Sequence, residues 1–178
     1  MRIYLLISVI SLLTLFSCAQ TPPPEFQPEG TIRDVMQSMV APKADSLWNA
    51  VATSVTEKGT EEIRPETDED WDKLHQDAIT LVEAMNVVQI PGRMVAKPGQ
   101  QAQDPKVELP PEQIQTLIDA DRASWTKFAH GMHDATMVAL KAIEAKDADA
   151  LSTAGDGIDK ACENCHLTYW YPKKPAQP

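Results

Sequence analysis

Ala161-Cys162-Glu163-Asn164-Cys165-His166 lies near the end of a chain of 178 residues, and its reading decides what kind of fold to expect. Two thiols three positions apart fall on one side of a helical turn, with an imidazole directly after the second. This is the C-x-x-C-H spacing of covalent c-type haem attachment. Each thiol can add across a haem vinyl group while the histidine presents a ring nitrogen to the iron. A bare C-x-x-C could also be a redox dithiol, which calls for a βαβ context, or half of a zinc site, which calls for a second ligand pair. Neither context is present in the sequence. The expected cofactor is one covalent haem c with its iron, held by Cys162 and Cys165 and ligated by His166.

Working back from that motif, Leu151, Ala154, Ile158, Ala161 and Cys165 share one face of a helix that Lys146-Asp147-Ala148-Asp149 opens and Tyr169-Trp170-Tyr171-Pro172 closes. Before it, Pro111 suits the first turn of a long helix. Its seam runs Ile114, Leu117 or Ile118, Trp125, Phe128, Met132, Ala135, Ala139 and Ile143. Another helix opens at Thr67-Asp68-Glu69-Asp70 and repeats Trp71, Leu74, Ala78, Leu81, Met85 and Val88 at spacings of three and four, a bundle seam. Ile90-Pro91-Gly92 ends it, and 93–110 reads as a long polar connection. The first helix places Ile32, Met36, Met39 or Val40, Ala44, Leu47, Val51 and Val55 near one face. Pro42 cannot donate to the carbonyl of Ser38, so a kink or short break is expected there. No window of alternating β-branched residues suggests a sheet. The periodicity predicts an all-α fold, an antiparallel four-helix bundle over 31–178 with the cofactor inside.

The N-terminus reads as an export signal over 1–17. Arg2 is its charged start, and the apolar run that follows is shorter than the ~20 residues a bilayer span needs. Leu15-Phe16-Ser17-Cys18 resembles a bacterial lipobox, which makes Cys18 the expected lipidation site. Later cleavage or an uncleaved anchor helix are the alternatives. Several acyl chains would tether the protein stably to a membrane. Residues 18–30 hold Pro22, Pro23, Pro24 and Pro28 and read as a proline-rich tether. Cys18 assigned to lipid and Cys162 and Cys165 to haem account for all three cysteines, with no disulfide required in an oxidising compartment.

Sixteen Lys and Arg against twenty-six Asp and Glu give a net charge of −10, and removing Arg2 with the signal makes it one unit more negative. Nucleic acid is excluded as a partner on that balance. The same acidity favours basic protein partners only weakly over plain solubility. No Ser-His-Asp arrangement, glycine-rich phosphate loop or paired-carboxylate motif points to an enzyme.

With the motif this late and the helical periodicity before it, the sequence resembles the class II c-type cytochromes, the cytochrome c-prime family, over about 31–171. The segments Pro42-Lys43-Ala44-Asp45-Ser46-Leu47-Trp48, Pro91-Gly92-Arg93 and Tyr169-Trp170-Tyr171-Pro172 are similar to a lipid-anchored bacterial branch of it. The resemblance implies a periplasmic haem protein and admits a homodimer. It also implies one of two states at the iron: an open sixth position in an apolar pocket, or a methionine from the first helix. Met36 is the first candidate for that ligand and Met39, one turn on, the second. With methionine bound the protein would carry single electrons between redox partner proteins. With the site open it would bind or sense nitric oxide or carbon monoxide.

Several other residues have a plainer reading beside the functional one. His130 and His133 are three apart and could hold a metal, but such a pair more commonly sits at a bundle edge, as a lone His75 also would. Trp48, Trp71, Trp125 and Trp170 could line a haem or simply pack. Arg93 is a candidate partner for a haem propionate, against the plainer role of an exposed loop arginine.

Overall fold

Thr31 and Thr67 open two helices by the same device. The Thr31 hydroxyl accepts from the Asp34 amide at 3.1 Å, and the Asp34 carboxylate accepts from the Thr31 amide at 2.9 Å. Thr67 and Asp70 repeat the exchange at 3.1 and 2.9 Å. Each reciprocal pair satisfies two backbone donors that a helix start would leave free. The computed structural model describes residues 26–57 and 59–171. The signal 1–17, Cys18 and most of the tether lie outside the described residues.

Among the described residues the chain is mostly helical, as expected. Helix α1 spans 32–48 without interruption, but its middle, Met36–Val40, is wound as a π-helix between the α-helical stretches Ile32–Val35 and Ala41–Trp48. The Ala41 amide donates to the Met36 carbonyl, five residues back. Pro42 has no N–H to offer, so the wider turn just before it lets the helix continue where a break was expected. Helix α2 is Asp68–Val87, α3 Pro111–Ala120, α4 Arg122–Glu144 and α5 Ala148–Tyr169. The long helix expected over 111–143 is thus two. Asp121 adopts φ −141° and ψ 72°, and its carboxylate accepts from the Ser124 amide at 2.9 Å, so it caps a new helix start.

The second departure lies at 51–63. Ala52–Thr56 (β1) and Gly59–Ile63 (β2) form an antiparallel hairpin in which Ala52 faces Ile63 and Thr56 faces Gly59. Val51 and Val55 therefore do not extend the α1 seam. Val55 is 78% exposed, and all of β2 is exposed. Val51, Thr53 and Val55 alternate at the strand period although Val51 and Val55 also suit a helix face, and Gly59 at φ +128° serves the turn.

Helices α1, α2, α4 and α5 share one core. Trp71, Leu74, Ala78, Leu81, Met85 and Val88 are all buried, as the seam of α2 predicts. Ile118 is buried and Leu117 exposed, which settles the choice between them. Helices α4 and α5 run antiparallel. Met132 meets Cys162 and Ala135 meets Gly157 across α4 and α5, so rising numbers on one face falling numbers on the other. On α5, Gly155 admits the Trp48 ring. A Cβ there would stand 3.2 Å from Trp48 Cδ1, and the indole N–H donates to the Gly155 carbonyl at 3.2 Å.

The connection 93–110 is less polar in effect than it reads. Val95 and Ala96 are buried. The carbonyls of Met94 and Val95 accept from the Ile32 and Arg33 amides at 2.8 and 3.0 Å, which satisfies the first donors of α1. Leu109 donates to the Trp170 carbonyl at 2.8 Å, tying the end of the connection to the end of α5.

Candidate functional site

Cys162, Cys165 and His166 occupy the last two turns of α5, where the seam residues are half-buried rather than buried because they border a cavity. The cavity has a volume of about 310 Å³, in the range of small-molecule sites. Its lining is almost entirely apolar. Helix α1 contributes Met36, Val40, Ala44 and Trp48, α2 and the residue after it contribute Met85 and Val88, and α4 contributes Trp125, Phe128, Ala129 and Met132. Cys162, Cys165 and His166 all line it. Cys162 Sγ lies 4.0 Å from Met132 Sδ. The polar rim is acidic: Asp45, Asp159 and Glu163 line the cavity, and among the described residues no lysine or arginine does.

Burial controls the chemistry of the motif. It pushes the Cys162 thiol up to about 11, with Asp159 and Glu163 adding to the effect. It pushes the Cys165 thiol up to about 12, and Cys162 raises it further. A redox dithiol needs a thiolate at neutral pH, favoured by nearby positive charge or a helix N-terminus. These cysteines have the reverse surroundings and sit at a helix C-terminus. They are free, with no disulfide between them. Burial also lowers the His166 pKa, opposed by Glu163 and Glu108, so the imidazole is held in the neutral form that a metal ligand requires. Its ring packs between Trp170 and Tyr171, at 5.7 and 5.8 Å between centroids.

The residues therefore fit a covalent haem. Two thiols and a neutral imidazole line an apolar cavity, and Met36, whose thioether is a second potential iron donor, lines it from α1. Met36 is the first residue of the π turn, and its carbonyl accepts the five-residue hydrogen bond. Met36 lines the same cavity as His166, whereas Met39 packs against the core without lining it. Met85 and Met132 also line the cavity, two thioethers that the sequence reading did not single out. Their α-helical spacing marks them as core residues, and nothing in the sequence alone tells a core position from a cavity wall.

Other candidates fall away from the site. Arg93 is neither an exposed loop residue nor a cavity residue. It is buried, and its guanidinium donates to the Val87 carbonyl at 3.0 Å and to the Gly30 carbonyl at 2.5 Å, which fastens the tether's end to the end of α2. His130 is exposed, and His133 contacts the Asp134 carboxylate at 3.0 Å. No cluster of three His, Cys, Asp or Glu that could hold a metal ion occurs among the described residues. Trp48 and Trp125 line the cavity, whereas Trp71 packs in the core. No described helix is long and apolar enough to cross a membrane.

No family model matches the chain, and no curated protein matches it. A solved structure similar to it is the nitric oxide complex of a point mutant of cytochrome c prime from Alcaligenes xylosoxidans. That protein is 19% identical, and the alignment covers 79% of this chain and 97% of the other at a TM-score of 0.46.

Proposed function

We propose that this chain is a class II c-type cytochrome, a four-helix bundle built from α1, α2, α4 and α5, that carries single electrons in the periplasm while tethered to a membrane through a lipidated Cys18. The observation that carries the reading is the convergence of Cys162, Cys165, His166 and Met36 on one apolar cavity. When bound, the haem supplies a one-electron couple at its iron. Cys162 and Cys165 would hold it as thioethers, which suits thiols kept protonated and dry. His166 would present one ring nitrogen to the iron, and Met36 its sulfur. Thioether ligation favours reduced iron and raises the potential, which suits a carrier. The apolar walls would keep water from the iron. Asp45, Asp159 and Glu163 give the cavity rim a negative sign that favours redox partners with a basic docking face.

The test is the optical spectrum of the mature protein made with the haem-attachment machinery, oxidised and reduced, with carbon monoxide added to the reduced form. The expected result is a low-spin spectrum with a weak far-red sulfur-to-iron band and no response to the gas. Met36→Ala should then become high-spin and gas-responsive. A wild-type protein that is high-spin and shifts with the gas would replace the carrier with a five-coordinate gas-binding protein. Absence of a Soret band would overturn the haem reading itself.

A further inference from the structure

Met36 owes its place on the cavity to the winding of the turn it opens. Met36 and Trp48, twelve positions apart on α1, both line the cavity, whereas Leu47 lies in the core and Gln37 is exposed. At about 100° per residue, an unbroken α-helix would hold side chains twelve positions apart about 120° from one another, and those eleven positions apart only about 20°. Met36 would then share a face with Leu47, and Gln37 would share one with Trp48. The π turn over Met36–Val40 removes that discrepancy. The Ala41 amide bonds to the Met36 carbonyl five residues back, and such a turn takes in one residue more than an α turn does.

The two ends of α1 are fixed by separate contacts. Before the turn, the Ile32 and Arg33 amides donate to the Met94 and Val95 carbonyls at 2.8 and 3.0 Å. After it, the Trp48 indole N–H donates to the Gly155 carbonyl at 3.2 Å. The number of residues wound between these ends therefore decides which side chain is turned to the cavity. Pro42 bears on that number. In an α-helix its ring would meet the Ser38 carbonyl and no N–H would satisfy that oxygen, and a wider turn just before the proline relieves both faults. We infer that Pro42 is a positioning residue for the sixth iron ligand: it excludes an α-helical ladder from this turn, and the extra residue held there puts Met36 on the cavity in place of Gln37. Pro42 itself is exposed and does not line the cavity, so it acts only through the winding of α1. The inference rests on the cytochrome reading above and adds to it how the face of the ligand is set.

The experiment compares the optical spectrum and carbon monoxide response of three holoproteins, after the mass of each has established covalent haem: the wild type, a variant lacking Gln37, and the same deletion combined with Pro42→Ala. With the proline in place the shortened helix keeps its wide turn, which carries Met36 about 100° off the cavity. The far-red sulfur-to-iron band should be lost and the reduced form should take up the gas. With alanine the ladder can close as an ordinary α-helix, in which Met36 stands eleven positions from Trp48. The band and the indifference to the gas should then return. A deletion variant that keeps the band, or a double variant that does not regain it, would overturn the inference and leave the cytochrome reading standing. A wild type that lacks the band and takes up the gas would overturn Met36 as the ligand and the inference with it, and a wild type without covalent haem would overturn the cytochrome reading as well. If the variants take up no haem, the reduced wild type decides by nuclear magnetic resonance. The haem-shielded methionine methyl should belong to Met36, and the Ala41 amide should show a hydrogen-bond coupling to the Met36 carbonyl. A coupling to the Gln37 carbonyl instead would overturn the inference.

Discussion

Helix α1 takes polar side chains below the surface on one flank and sulfur on the other. Toward α2 stands Asp77, 5% exposed, whose carboxylate accepts from Lys43 at 2.7 Å, from Ser46 at 2.6 Å and from Lys73 at 3.0 Å. Toward α4 and α5 stands the cavity, lined by the His166 ring and both thiols, whose one side-chain hydrogen-bond contact among the described residues is the weak Cys162–Met132 sulfur contact. Both regions hold chemistry-bearing residues, yet only the second asks for a ligand. A buried polar group that is fully paired within the protein pins elements together. One that is left open is matched to something the protein binds.

Three changes would break or sharpen that contrast. The largest effect belongs to Cys162→Ala with Cys165→Ala, which should lose covalent haem completely, read as haem stain on a denaturing gel and as pigment left after acid-acetone extraction. Asp77→Ala made alongside should keep its covalent haem in full. If the double variant retained attached haem, the contrast would fail at its centre.

Asp77→Ala should instead lower stability by about 2 kcal/mol at neutral pH, measured as a denaturant midpoint. The figure stays at the modest end because Lys73 is largely exposed and solvent screens its share. The pH dependence has a definite sign. Burial pushes the Asp77 carboxyl up, but Lys43, Ser46 and Lys73 outweigh it and hold its pKa below the ordinary carboxylate value. The stabilisation is therefore complete above the unfolded pKa of about 4 and is lost as pH falls through the lower folded value. Between about pH 5 and pH 2 the wild type should lose stability more steeply than Asp77→Asn. Equal slopes would mean that the cluster is a surface ornament and not a pin.

The smallest effect is expected in the hairpin. Val55→Ser should change stability by no more than about 0.5 kcal/mol and leave the haem spectrum untouched, since Val55 is exposed and outside the core. A larger loss would place the hairpin among the elements that hold the fold.

What the sequence by itself determined is what local spacing encodes. The seam of α2, the capped start at Thr67, the helical turn that carries Cys162, Cys165 and His166, and the placement of Met36 on an apolar face follow from a period of 3.6 and from side chains acting within four residues of themselves. Four features depended on tertiary contacts. Val51 and Val55 sit at positions that suit a helix seam or a strand equally well, and the exposed hairpin has no buried face to mark it. Asp121 could continue a helix or cap a new one. Arg93 could face solvent, a propionate or a carbonyl, and only the folded chain brings Gly30 and Val87 to it. That Met36 and not Met39 lines the cavity required α1, α4 and α5 to be packed around it. Side chains far apart in sequence meet there, and no periodicity records which of them border open space.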